Sequence, residues 1–472
     1  MNNATKPLRF RIKNGERRVI LLMGDLIAGG IALTLTLYFW AGRDDWLKGF
    51  SYKFIETRPP FWFFLLPLIW LIFMVELYEP KRANRKRDTT SGILVAALIS
   101  SALYLALYIA SPANSLPRYT IIFILAATLL TFAVRMLYIS IFTAPSFMRR
   151  ILIVGAGKSG CCLSDVVNTA TPPPFHIVGL IDDDPKKIGT VLNGYPVLGG
   201  HECLLNVIQK MEVSDLILAI SGQMDGGMYN SILSAEEKGV EVTTMPIVYE
   251  EILGRVPILL LEADWIIRSF VDQAHASAFY ELTKRLIDVS GGLVGLLGCA
   301  ILAPFIGTAI VVDTGFPVFF TQNRLGKSGQ IYKIIKFRTM RKDSEKDGKP
   351  RVTQEGDERI TRFGWLLRKT HLDELPQFIN VVKGEMSLVG PRAERSELVE
   401  DLQQKIPFYR ARLLVKPGIT GWAQINFGYA ATVEDTIVKL EYDLYYIKHR
   451  NLLTDLVILL RTVGTVVGFK GQ

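Results

Sequence analysis

Apolar residues gather in long unbroken runs over the first third of the chain. A spanning helix needs about 20 predominantly apolar residues, and four stretches come close to or meet that length: residues 19–40, 61–78, 92–110 and 119–142. Asp25 and Arg135 fall inside two of them. Ionisable residues at such depth face a bundle interior or reach for the interface, and the sequence assigns these two no role. Basic residues cluster before the first run (Lys6, Arg9, Arg11, Lys13, Arg17, Arg18), after the second (Lys81, Arg82, Arg85, Lys86, Arg87) and after the fourth (Arg149, Arg150). Lys and Arg beside spans mark the cytoplasmic side, so four spans return the chain to the cytoplasm. The first run is too long for a cleavable signal peptide and has no small-residue cleavage site after it.

A fifth apolar run covers residues 286–312, LIDVSGGLVGLLGCAILAPFIGTAIVV. It is long enough to span, yet both flanks are basic: Lys284 and Arg285 before it, then Arg324, Lys327, Lys333, Lys336 and Arg338 after it. Pro304 removes a helical hydrogen bond and clashes with the preceding turn. These features predict a re-entrant hairpin that breaks near Ala303-Pro304 and leaves by the face it entered. An ordinary kinked span is the competing reading.

Between the apolar regions the pattern changes to short apolar runs alternating with amphipathic ones, which predicts a Rossmann-like parallel sheet over residues 149–250. RRILIVGAGKSG reads as a strand followed by Gly155, Gly157 and Gly160 in the spacing of a phosphate-binding turn. FHIVGLIDDDP reads as a second strand ending at Asp182, where a ribose-binding acid would stand, and VSDLILAI as a later one. Such a turn often does no more than pack a helix on a strand. No Tyr-x-x-x-Lys follows it, which argues against a short-chain dehydrogenase. Residues 251–281 read as a linker.

Composition fits this plan. The chain has 472 residues, 49% of them hydrophobic, and a formal net charge of +9. That charge lies largely beside apolar runs, so it points to a membrane surface rather than to nucleic acid. The four cysteines form no CxxC pair, which excludes a zinc ribbon or a disulfide framework.

The C-terminal part carries the chemistry. LLRKTHLDELPQ places Asp373 and Glu374 side by side just before Pro376. Proline is tolerated in a helix's first turn, so a helix is predicted to start near Asp373. Lys333, Lys336, Arg338, Arg368, Lys369, Arg392 and Lys416 supply cations in the surrounding segments. The two acids serve equally well as an N-cap and a first-turn acid, or as a phosphoryl-transfer pair. In the second reading one carboxylate attacks phosphorus and the other holds Mg²⁺, while the cations offset the charge on the transferring group.

KFRTM, LRKTHLDELPQFINVVKGEMSLVGPR, KPGITGWAQIN and YDLYYIKHRNLLTDL, in that order, closely resemble the bacterial sugar transferases, the polyprenyl-phosphate hexose-1-phosphate transferases. The resemblance runs from about Lys284 to the C-terminus. With four N-terminal spans and a Rossmann-like domain ahead of it, the chain looks like the long members that initiate exopolysaccharide or O-antigen synthesis. The resemblance implies a UDP-sugar donor, a polyprenyl phosphate acceptor, membrane lipids as surroundings, UMP as product and Mg²⁺ as cofactor, at the cytoplasmic face of a bacterial inner membrane. It implies that Asp373 attacks the sugar-bearing phosphorus and that Glu374 holds Mg²⁺. It assigns functional roles to Lys336 and Arg392, and phosphate contacts to Arg338, Arg359 and Arg368. Asp443 in YDLYY is a lesser candidate for an acid near the nucleotide, with a structural role the favoured reading. The family often reads Ser-Pro at the hairpin and Gly-Pro-Arg-Pro after the dyad; this chain has Ala303-Pro304 and Gly390-Pro391-Arg392-Ala393. The apolar C-terminal stretch NLLTDLVILLRTVGTVVGFK is expected to lie in the interface.

The fold expected is thus a membrane protein in three parts. A four-helix bundle covers residues 1–148 and a Rossmann-like α/β domain residues 149–250. A mostly α catalytic domain, residues 282–472, carries the re-entrant helix. A homodimer is the expected form of a large member. Two other functions compete: a membrane-anchored nucleotide-sensing regulatory protein, and a sugar-nucleotide oxidoreductase with bound NAD.

Overall fold

The computed structural model describes residues 14–46, 49–78, 83, 85–111, 117–142, 148–171, 173–220, 222–261, 277–341, 357–428 and 432–467. Lys6, Arg9, Arg11, Lys13, Lys81, Arg82 and residues 262–276 of the predicted linker lie outside the described residues. The chain divides into two compact units, residues 1–151 with 167–178, and residues 152–166 with 179–472.

In the first unit, helices Asn14–Gly42, Lys86–Ala110 and Thr120–Phe142 are long and apolar enough to cross a membrane. The second predicted span differs. Residues 61–78 form a 3-10 turn (Phe61–Leu65), a short α-helix (Leu66–Phe73) and a second 3-10 turn (Val75–Tyr78). Pro67 stands in the first turn of the short helix; its ring and missing N–H prevent the preceding turn from running on as one α-helix. Asp25 and Arg135 are fully buried and paired, with Nη2 of Arg135 2.7 Å from Oδ2 of Asp25. Tyr78 donates to the same oxygen at 2.8 Å, and Nη1 of Arg135 donates to the Leu77 carbonyl. Removing one member of such a buried pair typically costs about 3–5 kcal/mol, because the other charge is left unmatched.

The second sequence pattern forms a four-stranded sheet. Its strands are β1 (Arg149–Val154), β2 (Phe175–Ile181), β3 (Asp215–Leu218) and β4 (Glu241–Thr244), in the order β2-β1-β3-β4. β3 and β4 are parallel. The chain lays β2 on one side of β1 and then crosses to β3 on the other, the switch in direction that opens a crevice at the strands' carboxyl ends.

The C-terminal domain is mostly helical and grips helix Ala278–Thr314 along its length. Arg285 donates to the carbonyls of Val381 and Val382. Asp288 accepts from Ser387 and from the Leu388 backbone. Cys299, Ile306 and Ile310 pack with Phe337 and Leu367, and Arg338 donates to Thr314 Oγ1 at 2.6 Å and to the Gly315 carbonyl. The hairpin form predicted for this helix is not seen: the helix runs through Pro304 as one element. Thr308 donates its hydroxyl to the Pro304 carbonyl. The outward face, with Leu297, Ile301 and Phe305, is apolar and exposed.

Strands β5 (Phe319–Leu325) and β6 (Ile331–Phe337) follow as an antiparallel pair. Part of the segment read as a linker belongs to the core of this domain. Val256 and Ile258 are buried with Tyr332, Ile334, Leu440 and Leu444. The C-terminal helix Leu452–Val467 also packs inward, with Ile458 buried in that core and Asp455 accepting from Lys284 and Tyr446.

Candidate active site

Asp373 and Glu374 lie in a 3-10 turn, Leu372–Gln377, and the α-helix proper starts only at Phe378. Asp373 is therefore not the helix N-cap that the sequence predicted. His371 caps the turn from a left-handed conformation, φ 57°, and the turn tightens to a 3-10 pitch across Pro376, which has no N–H for an α-type bond. Leu372 and Leu375, three residues apart, face Cys299, Ile306 and Ile310 of the long helix. That anchors the turn and leaves the two acids on its other faces.

Two distant segments converge on Glu374. Lys336, at the end of β6, places Nζ 2.6 Å from Oε1, and Arg392 places Nη2 2.7 Å from the same oxygen. Both donors go to Oε1; no hydrogen bond among the described residues reaches Oε2. Asp373 is 7% exposed, and neither of its oxygens accepts a hydrogen bond among the described residues.

The environments drive the two acids apart. Burial, then the charge of Glu374, pushes Asp373 up to about 6. Burial would raise Glu374 as well, but Arg392 and Lys336 outweigh it and hold that carboxylate below the usual range. Glu374 raises Arg392 in return, while burial lowers Lys336. At neutral pH the turn thus offers a permanently ionised, clamped glutamate beside an unclamped aspartate.

Arg392 stands where it does because its loop is threaded through a glycine contact. β7 (Ser387–Val389) runs parallel to β8 (Gly418–Thr420). A Cβ on Gly390 would come within 2.4 Å of the Lys416 carbonyl, and one on Gly421 within 2.2 Å of the Gly390 carbonyl. These clashes are why VGPR and PGITG carry glycine. Behind the loop, Arg412 donates to the Arg392 carbonyl at 3.0 Å and pairs with buried Asp443 at 2.8 Å. Arg324 donates to the next carbonyl, Ala393. Lys439 and Arg412 hold Glu394 down at about 2 against burial.

The structure therefore brings Asp373, Glu374, Lys336 and Arg392 together. Arg368 adds its charge to Asp373 and rests on the Thr339 hydroxyl at 3.0 Å. Arg338 instead caps the long helix, and Arg359 is bidentate to Asp357. Lys416 has Arg285 and Asp288 as charged neighbours rather than the dyad. Asp443 acts behind Arg392, not beside the acids. Sequence reasoning does not single out Arg324, Arg412 or Glu394, because a buried ion network leaves no local signature. It also passes over His371, although a histidine two residues before the dyad is a visible signal.

The Gly-rich turn is built differently. Gly155 (φ 110°) and Gly160 are required by packing: a Cβ on the first would meet the Ala219 carbonyl, and one on the second the Gly155 carbonyl. Gly157 faces open space. Asp182 accepts from the Ala156 N–H at 2.7 Å, the Asp184 N–H at 2.9 Å and Lys187 at 3.0 Å.

Residues 279–469 match the family described as bacterial sugar transferase, and residues 150–223 match the PglD N-terminal domain. The UDP-N-acetylgalactosamine-undecaprenyl-phosphate N-acetylgalactosaminephosphotransferase of Aeromonas hydrophila is 40% identical over 47% of this chain and 52% of its own length. The UDP-glucose:undecaprenyl-phosphate glucose-1-phosphate transferase of Klebsiella pneumoniae is 32% identical over 68% of each chain. The match with the Aeromonas protein spans about half of that relative. Among solved structures, UDP-D-quinovosamine 4-dehydrogenase from Vibrio fischeri is 26% identical over 25% of this chain and 96% of its own, with a TM-score of 0.20. With the family's sequence pattern matched from the long helix to the C-terminal helix, and a relative matched over two thirds of its length, this chain belongs to the bacterial sugar transferase family.

Proposed function

We propose that this protein transfers a sugar-1-phosphate from a UDP-sugar to undecaprenyl phosphate, releasing UMP and giving undecaprenyl diphosphate sugar. The observation that carries the reading is the contrast within the dyad: Asp373 has both oxygens unengaged, while Glu374 is fixed by Lys336 and Arg392. An Asp373 oxygen attacks the sugar-bearing phosphorus. The bond from that phosphorus to the bridging oxygen breaks, and UMP leaves with the electron pair. An oxygen of undecaprenyl phosphate then attacks the aspartyl phosphosugar and returns the carboxylate. Arg392, Lys336 and Arg368 offset charge on the transferring group.

The donor set suits Mg²⁺. Oε2 of Glu374 and the Asp373 carboxylate are hard oxygen ligands, and Mg²⁺ is typically bound by one or two carboxylates plus substrate phosphates. Glu374 would hold the ion, which when bound would neutralise part of the diphosphate charge.

The reaction needs a water-soluble donor and a lipid acceptor at one place. The long helix supports this by touching the same domain near its start, middle and end while turning an apolar face outward. We read that face as resting in the inner leaflet of the cytoplasmic membrane, with the dyad at the cytoplasmic surface. The two relatives named above act on different sugars by their names, N-acetylgalactosamine and glucose. A screen of UDP-sugars against undecaprenyl phosphate, scoring UMP with and without Mg²⁺, tests the reading. Release of UMP from one donor, dependent on the lipid, is expected; no release from any donor overturns it.

A further inference from the structure

One buried polar group beside the dyad has no partner within the chain. Gln377 is 2% exposed, and its amide nitrogen is sealed from solvent without a hydrogen bond among the described residues. A buried amide donor left unmatched costs about 1–3 kcal/mol, and nearly all such groups in folded proteins are paired. Gln377 therefore calls for an acceptor.

Its place in the turn points to which one. Residues three apart eclipse each other in a 3-10 helix. Within Leu372–Gln377, Leu372 and Leu375 make one stripe, packed on the long helix. Glu374 and Gln377 make another, and Glu374 turns to Lys336 and Arg392. By that spacing Gln377 shares a stripe of the turn with Glu374, one turn beyond it. Each of those cations places a donor on Glu374 Oε1; the Gln377 amide donor is taken by nothing in the described chain. It is neutral, so it moves no proton and adds no charge. It can donate an N–H to a fixed anionic oxygen and set that group's orientation.

We infer that Gln377 is a phosphate-binding residue of the site, its amide N–H donating to a non-bridging oxygen of the phosphoryl group that passes through Asp373. This rests on reading the dyad as the phosphoryl acceptor. The test uses the full chain in detergent with inorganic pyrophosphate as the probe. Wild type is compared with Gln377→Met, which keeps length and removes the donor, and Gln377→Glu, which keeps shape and adds negative charge. The Met variant is expected to bind pyrophosphate about tenfold more weakly and the Glu variant more weakly still, with the Met variant not melting below wild type in the absence of the probe. Equal affinity of wild type and the Met variant, or no affinity in wild type, overturns the inference. A lowered melting temperature with unchanged affinity overturns it too, since that is the mark of a structural amide. Steady-state turnover separates the phosphate's source. Loss of kcat/KM for both the UDP-sugar and undecaprenyl phosphate is expected for the transferred group; loss for the lipid alone overturns it. Absence of UMP release from wild type with every donor would sink the proposed function instead, a result distinct from any change in pyrophosphate affinity between variants.

Discussion

The Gly155 turn and the Asp373 turn look alike on paper: each sets an acid near a helix start, with lysine or arginine nearby. In the folded chain they are opposites. Asp182 has three donors, two of them backbone N–H groups and the third Lys187. Burial pushes its pKa up, but those donors prevail and hold it below the usual carboxylate range. Asp373 has no donor, and burial raises it. An acid whose oxygens are already committed fastens a loop. An acid kept dry and uncommitted has its lone pairs available for chemistry, and the hydrogen bonds of Lys336 and Arg392 go to its neighbour instead.

The largest test of that contrast is Asp373→Asn. Loss of the nucleophile is expected to lower UMP release by at least about 1,000-fold, and no phosphosugar adduct should be trapped on the variant by mass spectrometry. The same change should raise stability. A carboxyl whose folded pKa lies above its unfolded value favours folding below the unfolded pKa, and that contribution is lost as pH rises through about 6. The Asn variant escapes the loss, so it should melt above wild type at pH 7.5, with the gap closing toward pH 4. A variant that melts lower at both values would contradict the environment described for Asp373.

Next in size is Arg392→Ala, which removes a cation from the transferring group and one clamp from Glu374. UMP release is expected to fall about 100-fold, and Arg392→Lys should recover only part of it, because a point charge cannot keep the guanidinium geometry. Activity of the intact protein should rise with pH as Asp373 ionises, with a midpoint near 6. A pH profile of kcat/KM with no inflection between pH 5 and 7 would count against Asp373 as the ionising nucleophile.

The smallest effect is the most discriminating one. Asp182→Asn should leave UMP release within about twofold and lower stability by about 1 kcal/mol, discounted because the carboxylate is only partly buried and its partner Lys187 is partly exposed. Here the sign reverses. The folded pKa is depressed, so the stability is present above the unfolded pKa and fades as acid titrates the folded carboxylate. The gap in melting temperature between wild type and variant should therefore be larger at pH 7.5 than at pH 3.5, and shrink further as the acid titrates the folded carboxylate. A large loss of transfer activity would tie the Gly-rich turn to the chemistry.

Much of the molecule is legible in its residue pattern. Apolar runs mark the long helices, because a run of that length has few other stable fates. Strand-turn-helix periodicity marks the sheet. The Asp373-Glu374 pair stands out as adjacent acids in a basic region. The second span is misread by hydropathy, which counts residues without asking whether Pro67 lets them share one helix. A cation's sequence neighbourhood does not say which acceptor within the chain it will find: Arg338 caps a helix end, and Arg359 pairs with Asp357.

Residue order alone sets the parts: which segments are apolar, where glycine and proline break them, and which acids and bases exist to be used. The partners of those parts are chosen by the fold. Lys336 is 38 residues from Glu374 and Arg392 is 18, and both meet it because β6 ends against the 3-10 turn while Gly390, Gly418 and Gly421 let two loops touch backbone to backbone. Local pattern reflects the torsional and solvation preferences of neighbouring residues. Which distant charges share a low-dielectric site is settled by packing, and packing is a property of the whole chain.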